Sequence, residues 1–441
     1  PISEGIGICL MLVKLRKSKY NKNRLQRRKQ IAELTVHDSR TAPERSMQLT
    51  EQRLRNGYTT GTCAAAAAKA AAAFLLCGKN ASCAELTLPG GTVCRIPVTQ
   101  NGCGQGEACF YVQKDSGDDP DVTNGTKVFA RVRQVEKCEF EALCRTGAGY
   151  YLEEYPQLYL TGGQGIGMVT KPGLSCPVGH YAINPVPRSM ILGAVEEIAR
   201  TAAYEESLLI EIRIPEGEAL ALQTFNPKLG IQGGISVLGT TGIVKPMSEE
   251  ALLETIHLEI HMKAVNGAKV LLMAPGNYGE EFLKKELGVP MGSAVLCSNF
   301  VKDAVLMAEK EGFRNLLFVG HIGKLIKVSA GVKNTHSKYG DGRMEQMAVL
   351  TRELGHPELQ EWVRACNTTD DALALLKEQR LAKPLLCRTA RYVKNWIETW
   401  GGGRITAEAV TFSTAHQLLG ATENWQKLFD AWQETSGQSN L

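Results

Sequence analysis

The stretch RNGYTTGTCAAAAAKAAAA, Arg55 to Ala73, decides more of the fold than any other part of this 441-residue chain. Thr59, Thr60, Gly61 and Thr62 lead into an alanine run interrupted by Cys63 and Lys69. A threonine hydroxyl can accept from the unpaired amides of a helix's first turn, so Thr59 and Thr60 are N-cap candidates. From Thr62 to Leu76 the helix propensity is the strongest in the chain. Two readings stay open. The positive helix end, with N–H groups pointing outward, suits an anion and makes Thr59, Thr60, Gly61 and Thr62 candidate binding residues. Alternatively, the alanines let another element approach closely.

Around this helix the pattern is of short strands. Glu85–Val98 (ELTLPGGTVCRIPV) predicts a hairpin about Pro89-Gly90-Gly91. CFYVQKDSG and KVFARVRQV add two strands separated by GDDPDVTNG (Gly117–Gly125). Asp118, Asp119 and Asp121 lack the full calcium-loop pattern and its terminal glutamate, so an Asp-Pro turn is expected there. The mixture indicates an α+β domain over residues 47–245. GGQGIG (Gly162–Gly167) has the wrong spacing for a dinucleotide fingerprint and reads as a loop around a large ligand. Lys171 follows it, and Asn184 and Arg188 lie in INPVPR. Pro185 and Pro187 are expected to hold that segment extended, presenting Arg188 on a stiff strut for carboxylate recognition or a structural ion pair.

From Ser248 the period changes. SEEALLETIHLEIHMKAV is helical, KVLLMAP is a buried strand, GEEFLKKEL is helical, and AVLCS and NLLFVG are further strands. That alternation predicts a Rossmann-like parallel α/β domain over 246–441. Ligands of such sheets bind beyond the carboxyl ends of the strands, where Ala274–Gly279 (APGNYG) and Val319–Lys324 (VGHIGK) fall. His257 and His261 are spaced for one metal, but H-L-E-I-H displaces the metalloprotease glutamate and offers no third ligand, so no metal site is expected. His321 and His336, with Lys324, Lys327 and Lys333, are better candidates for chemistry, against a helix with a solvated cationic face. Residues 344–400 read as mainly helical, packed by Trp362, Trp396 and Trp400, and EAVTFST then ENWQKLFDAW as a last strand and helix.

Composition narrows the class. The apolar content of 44% supports real cores, and 44 glycines against 17 prolines suggest loop-built sites. No run is expected to supply the roughly 18 apolar residues that span a bilayer. Thirteen cysteines without a C-x-x-C pair point to reduced thiols in a cytoplasm. Residues 1–50 hold eleven Lys/Arg and four Asp/Glu; beyond them 39 basic and 42 acidic residues leave the globular part mildly acidic, which disfavours nucleic acid. The arm KLRKSKYNKNRLQRRK (14–29) follows an apolar stretch, the wrong order for a signal peptide. Residues 1–46 are expected to be a disordered basic extension, the functional chain starting near Met47.

The chain resembles the cobalt-precorrin-5B methyltransferase family of anaerobic cobalamin (vitamin B12) biosynthesis. The resemblance rests on Arg55–Ala67 and on GDDPDVTNG, GGQGIGMVTKPGL (162–174), INPVPRSMI (183–191), TFNPKLGIQGGISVLGTTGIVKPMSEEA (224–251), APGNYG and VGHIGKLIKVSAGVKNTHSK (319–338), in that order. It covers roughly residues 50–435. Asn124 stands where the family phrase has histidine, so no imidazole acts there. The resemblance implies transfer of a methyl group from S-adenosylmethionine to carbon 1 of cobalt-precorrin-5B, giving cobalt-precorrin-6A, with cobalt present only as part of the substrate. Compatible with it, the residues themselves lead us to expect a corrinoid held by Thr59–Thr62, Lys171, Asn184, Arg188, Lys324 and Lys327, a donor at Gly276, Asn277, Tyr278, Gly279 and Gly320, and either acid–base chemistry at His321 and His336 or a purely positional site. No membrane partner is implied, and a homo-oligomer is left open. A corrinoid carrier without catalysis, and a small-molecule kinase holding phosphate in glycine loops, are the alternatives; the missing P-loop argues against the commonest kinase form.

Overall fold

The computed structural model describes residues 54–437 except His416. The basic arm and the expected start at Met47 lie outside the described residues.

Helix α1, Thr60–Cys77, forms as its sequence demands. Thr59 caps it, the hydroxyl accepting from Thr62 N–H at 3.3 Å, and Gly78 ends it in the left-handed conformation. Ala64–Ala68 and Ala70–Ala72 are all buried, while Lys69 reaches out to Glu197 at 2.7 Å. The second reading of the alanine run holds: α1 packs against helix α2, Pro185–Thr201. The approach is close enough that a Cβ on Gly61 would lie 2.7 Å from Pro187 Cγ. One expectation is corrected here. At 18 residues and mean hydropathy 1.4, α1 is long and apolar enough to cross a membrane, but two thirds of it lies inside the protein.

The first sheet comprises β1 (Thr99–Gly104), β2 (Glu107–Gln113), β3 (Lys127–Gln134), β4 (Tyr150–Tyr151), β5 (Leu158–Gly162) and β6 (Leu208–Arg213), in the spatial order β1-β2-β3-β6-β5-β4. Its pairs are antiparallel except β5 with β6, which are parallel and joined through α2. Alternate residues such as Phe110, Ala130, Leu160 and Ile210 join the alanines of α1 in one core. The expected hairpin is present as Cys83–Thr87 against Val93–Pro97. The expectation of an extended INPVPR segment is overturned. Pro185 is the first residue of α2, where its missing N–H is no loss and its fixed φ favours the helix.

The second sheet is Rossmann-like. Helix α3 (Glu249–Val265), capped by Ser248, leads to β7 (Val270–Ala274), α4 (Asn277–Leu287), β8 (Val295–Leu296), α5 (Val301–Lys310), β9 (Asn315–His321) and α6 (Ile322–Ser329). After further helices ending in α7 (Ala382–Trp400), strands β10 (Thr406–Ser413) and β11 (Leu418–Ala421) precede α8 (Trp425–Gly437). The order is β8-β7-β9-β10-β11, parallel throughout until the antiparallel edge β11, which the sequence reading missed. Both faces are covered, which is why the strands are continuous apolar runs. Leu271, Met273, Leu316 and Phe318 face α3, α5 and α7. Val270, Leu272, Leu317 and Val319 face α4 and α8.

Candidate functional site

The carboxyl ends of β7 and β9 lie side by side. After Ala274 the chain turns through Pro275 and Gly276, whose φ of 125° side chains rarely permit, and enters α4 at Asn277. Gly279 and Gly320 let the ends touch. A Cβ on Gly279 would lie 2.9 Å from Val319 O, and one on Gly320 would collide with Leu325 and lie 2.9 Å from Pro275 Cγ. Asn277 and Tyr278 remain outermost, Tyr278 with 67% of its surface exposed. The residues expected around a donor therefore share one strand-end surface.

His321 ends β9 and caps α6, its Nδ1 accepting from Gly323 N–H at 3.1 Å. An accepting nitrogen carries no proton, so the neutral ring is protonated at Nε2. Burial holds its pKa below the ordinary 6.5 despite the opposing pull of Asp370. The ring centroid is 5.9 Å from that of Tyr278 and 5.5 Å from that of Phe412. His336 shares the segment but caps the short turn Ser337–Tyr339 and is exposed, its Nδ1 accepting from Lys338 N–H at 3.1 Å.

Lys324 and Lys327 do not form a solvated face, whereas Lys333 is exposed. Lys324 Nζ donates to Pro275 O at 2.6 Å and Ser298 O at 3.3 Å, tying two strand ends to α6, and burial lowers its pKa. Lys327 is buried and donates to Gly340 O at 3.0 Å and Thr335 O at 3.4 Å. Both ammoniums are engaged by carbonyls of their own fold.

The expectation of an open anion site at α1 is overturned. The turn Leu238–Gly242 covers the helix start: Gly61 N–H donates to Leu238 O at 2.9 Å and Thr62 Oγ1 to Gly242 O at 2.8 Å. Thr60, Gly61 and Thr62 are buried and Thr59 half-buried. Arg188 is no free strut either. In the first turns of α2, its Nε donates to Ile183 O at 2.5 Å, one terminal nitrogen lies 3.2 Å from Cys176 Sγ, and the guanidinium covers the Tyr150 ring. Asn184, half-buried before α2, accepts from Cys176 Sγ at 3.3 Å. A cavity of about 530 Å³ is bounded by Arg145, Gly147, Tyr150, Tyr151 and His180. It shares no lining residue with the strand ends and meets the expected residues only where Arg188 stacks on Tyr150.

Lys171 is exposed, its methylenes lying over Gly230. Its neighbour Pro172 accepts from Asn266 Nδ2 at 3.2 Å, and a Cβ on Gly173 would lie 2.7 Å from Met262 Sδ. Near it the structure gathers residues that sequence reasoning passed over: Lys228, Glu259, Lys263 and Glu280. Lys228 Nζ is 3.9 Å from Glu280 Oε1, which accepts Gly292 N–H at 2.6 Å. Burial raises the Glu259 carboxyl, against the pull of Lys228 and Lys263, and burial lowers the Lys263 ammonium. The available signal was the i,i+4 pair Glu259–Lys263 on a helix entering a strand-end region. The histidine pair reaches no such corner, as His257 Nε2 and His261 Nδ1 each contact a Glu311 oxygen at 2.8 Å. In the acidic turn Asp121 accepts from Thr123 N–H and pairs with Lys114, and Asn124 Oδ1 accepts from Ser116 N–H at 2.9 Å.

Residues 47–246 match the model of the CbiD family, and residues 334–423 that of the CbiD C-terminal domain. A Ruminiclostridium cellulolyticum protein named cobalt-precorrin-5B C(1)-methyltransferase is 38% identical over 371 residues, 83% of this chain and 91% of its own. The chain belongs to the CbiD family. Relatives of the same name from Listeria monocytogenes and Fusobacterium nucleatum are 38% and 39% identical, each over 86% of this chain and 97% of their own. A crystal structure titled cobalamin biosynthesis protein (cbiD) from Archaeoglobus fulgidus is 25% identical, covering 69% of this chain and 85% of its own at a TM-score of 0.34. The first CbiD segment contains the α1 start, Lys171, Arg188 and Lys228, while His336 lies in the second.

Proposed function

We propose that this chain methylates carbon 1 of cobalt-precorrin-5B, using S-adenosylmethionine and giving cobalt-precorrin-6A, in cytoplasmic anaerobic cobalamin synthesis. The observation that carries the reading is its 38–39% identity to proteins of that name over 91–97% of their length. The donor is assigned to Gly276, Asn277, Tyr278, Gly279 and Gly320. The fit there is one of shape: a glycine turn without side-chain bulk, an exposed aromatic ring and the start of a helix at the ends of parallel strands. A sulfonium bound there supplies an already activated methyl group. The chain's own task is alignment and exclusion of water, which needs no nucleophile. His321, neutral with Nδ1 engaged by Gly323 N–H and its proton on Nε2, is the strand-end group able to donate a hydrogen bond beside the reacting ring, and we place that role there rather than at exposed His336. The corrinoid occupies the side facing Lys171.

The test is anaerobic incubation of the full chain with cobalt-precorrin-5B and S-adenosylmethionine, followed by mass spectrometry, with calorimetry on donor, ATP and corrinoid separately. A singly methylated product and donor binding are expected. Corrinoid binding without donor binding would favour the carrier alternative, and ATP binding with phosphoryl transfer the kinase.

A further inference from the structure

Three lysines from distant parts of the sequence converge beside the strand ends. Lys171 lays its methylenes over Gly230, whose absent Cβ would lie 2.7–2.9 Å from them. Lys228 crosses Gly292 in the same way, at 3.0–3.5 Å. Lys263, half-buried on α3, follows Met262, whose Sδ would lie 2.7 Å from a Cβ on Gly173; Glu259 supports its charge, and Lys171 and Lys228 both oppose it. Glycine at 230 and 292 makes room for the two lysine stems, so the backbone is shaped to hold like charges together.

Two carboxylates, Glu259 and Glu280, offset this set of three cations only in part. Glu280 accepts a backbone N–H from Gly292 and stands 3.9 Å from Lys228, too far for a hydrogen bond. Glu259, whose carboxyl burial raises, is drawn the other way by Lys228 and Lys263. Among the described residues Lys171 and Lys263 make no hydrogen bond and no ion pair within 4 Å. Ammoniums held close without partners are unfavourable unless an anion joins them. Apolar surface lies alongside: the Phe225 ring is 45% exposed with Lys228 Nζ 5.4 Å from its centroid, and Met291, next to Gly292, is 51% exposed.

We propose that Lys171, Lys228 and Lys263 form a carboxylate-receiving corner for the acid groups on the rim of the substrate macrocycle, with Phe225 and Met291 against its apolar body. The proposal rests on the corrinoid reading above. A flat apolar ring edged with carboxylates needs apolar contact beside fixed cations, and the corner supplies both. Because Lys171 and Lys228 come from the first part of the chain and Lys263 from α3, the bound ring would bridge the two sheets.

The test is binding of cobyrinic acid, a corrin with free carboxylates, and of its heptamethyl ester to the full chain, followed by calorimetry. The wild type is expected to prefer the acid. Lys228→Met and Lys171→Met, which keep the stem and remove the charge, should each weaken the acid roughly tenfold, as for a lost charged hydrogen bond, and leave the ester unchanged. If Lys263→Met does not fold, the other two variants still decide. Undiminished acid binding in both, with the wild type still preferring the acid, would overturn the corner while leaving methyl transfer to corrinoids intact. Failure of the wild type to bind either corrin or to methylate would instead remove the corrinoid reading, and the corner with it.

Discussion

The Arg188 guanidinium lies 3.6 Å from the centre of the Tyr150 ring while its Nε donates to Ile183 O at 2.5 Å. The Tyr150 hydroxyl in turn donates to Tyr181 O at 2.5 Å, and burial pushes its pKa up. This arginine therefore fastens α2 to the segment before it and to Tyr150 of β4. Arg188→Ala should lower stability by about 1–3 kcal/mol, from a lost cation–π contact and a carbonyl left with only the weak Cys176 thiol as donor. Denaturant unfolding measures it. Corrin affinity should stay near the wild-type value; an unchanged stability with a lost corrin affinity would return Arg188 to the ligand.

His321 gives the protein a defined acid sensitivity. Its folded pKa is lowered by burial, so below about 6.5 the unfolded chain binds a proton that the folded chain resists. Stability should fall as the pH drops from about 6.5 toward the lowered folded value, and be unaffected by this group above that window. Protonation of Nδ1 would also break the cap bond from Gly323 N–H. His321→Asn keeps a capping oxygen and removes the titration. Unfolding free energies from pH 5 to 8 should show a flatter acid limb in the variant; identical limbs would mean that other groups set it.

The fold was legible wherever one period dominated. Ser248 as a cap, the alternation through β7, α4 and β9, and the capped alanine helix all follow from local pattern and appear as expected. Strand β11 was not legible because an antiparallel edge of Leu418–Ala421 is too short to set a period. INPVPR was misjudged because a proline at a helix's first residue and a proline in an extended strut look the same in sequence. The candidate site was legible at the strand-end glycines. It was not legible at Lys228 and Lys263, whose meaning lies in being near Lys171 across the fold. Nor does sequence show that Lys324 and Arg188 turn inward, since a cation's partner can be any distant carbonyl.

The close contact of α1 and α2 yields a packing test. Ala in place of Gly61 would put a methyl group 2.7 Å from Pro187 Cγ and 3.0 Å from Leu238 O. Neither neighbour is the mobile end of a side chain, so Gly61→Ala should cost about 1–3 kcal/mol despite raising helix propensity. A melting temperature at or above the wild type would show that the helix pair can part without penalty.

We propose that the chain divides into two domains near residues 245–248, and limited digestion with a glutamate-specific protease tests this. Met247 is 70% exposed with φ 54°, and the exposed Glu249 and Glu250 supply cleavable bonds just after it. An early nick after Glu249 or Glu250 is expected, with both fragments persisting, because each side has a sheet and core of its own. First cuts inside either sheet would place the boundary elsewhere.

Lys324 provides the last test, because it separates donor from corrinoid. Its ammonium joins Pro275 O and Ser298 O, so it sets the path of the turn that leads into Gly276 and α4. Lys324→Met keeps the stem and leaves two half-buried carbonyls without their donor, at about 1–3 kcal/mol for an unsatisfied group. Loosening of Gly276–Gly279 should weaken S-adenosylmethionine binding by roughly tenfold or more, since about 1.4 kcal/mol is tenfold in affinity. Cobyrinic acid binding should change little, because its proposed lysines lie on α3 and on the two turns of the first part of the chain. Calorimetry on both ligands with one protein preparation reads the two effects together. A variant that held the donor normally and lost the corrin would exchange the two assignments, placing the macrocycle over Gly276 and the donor elsewhere.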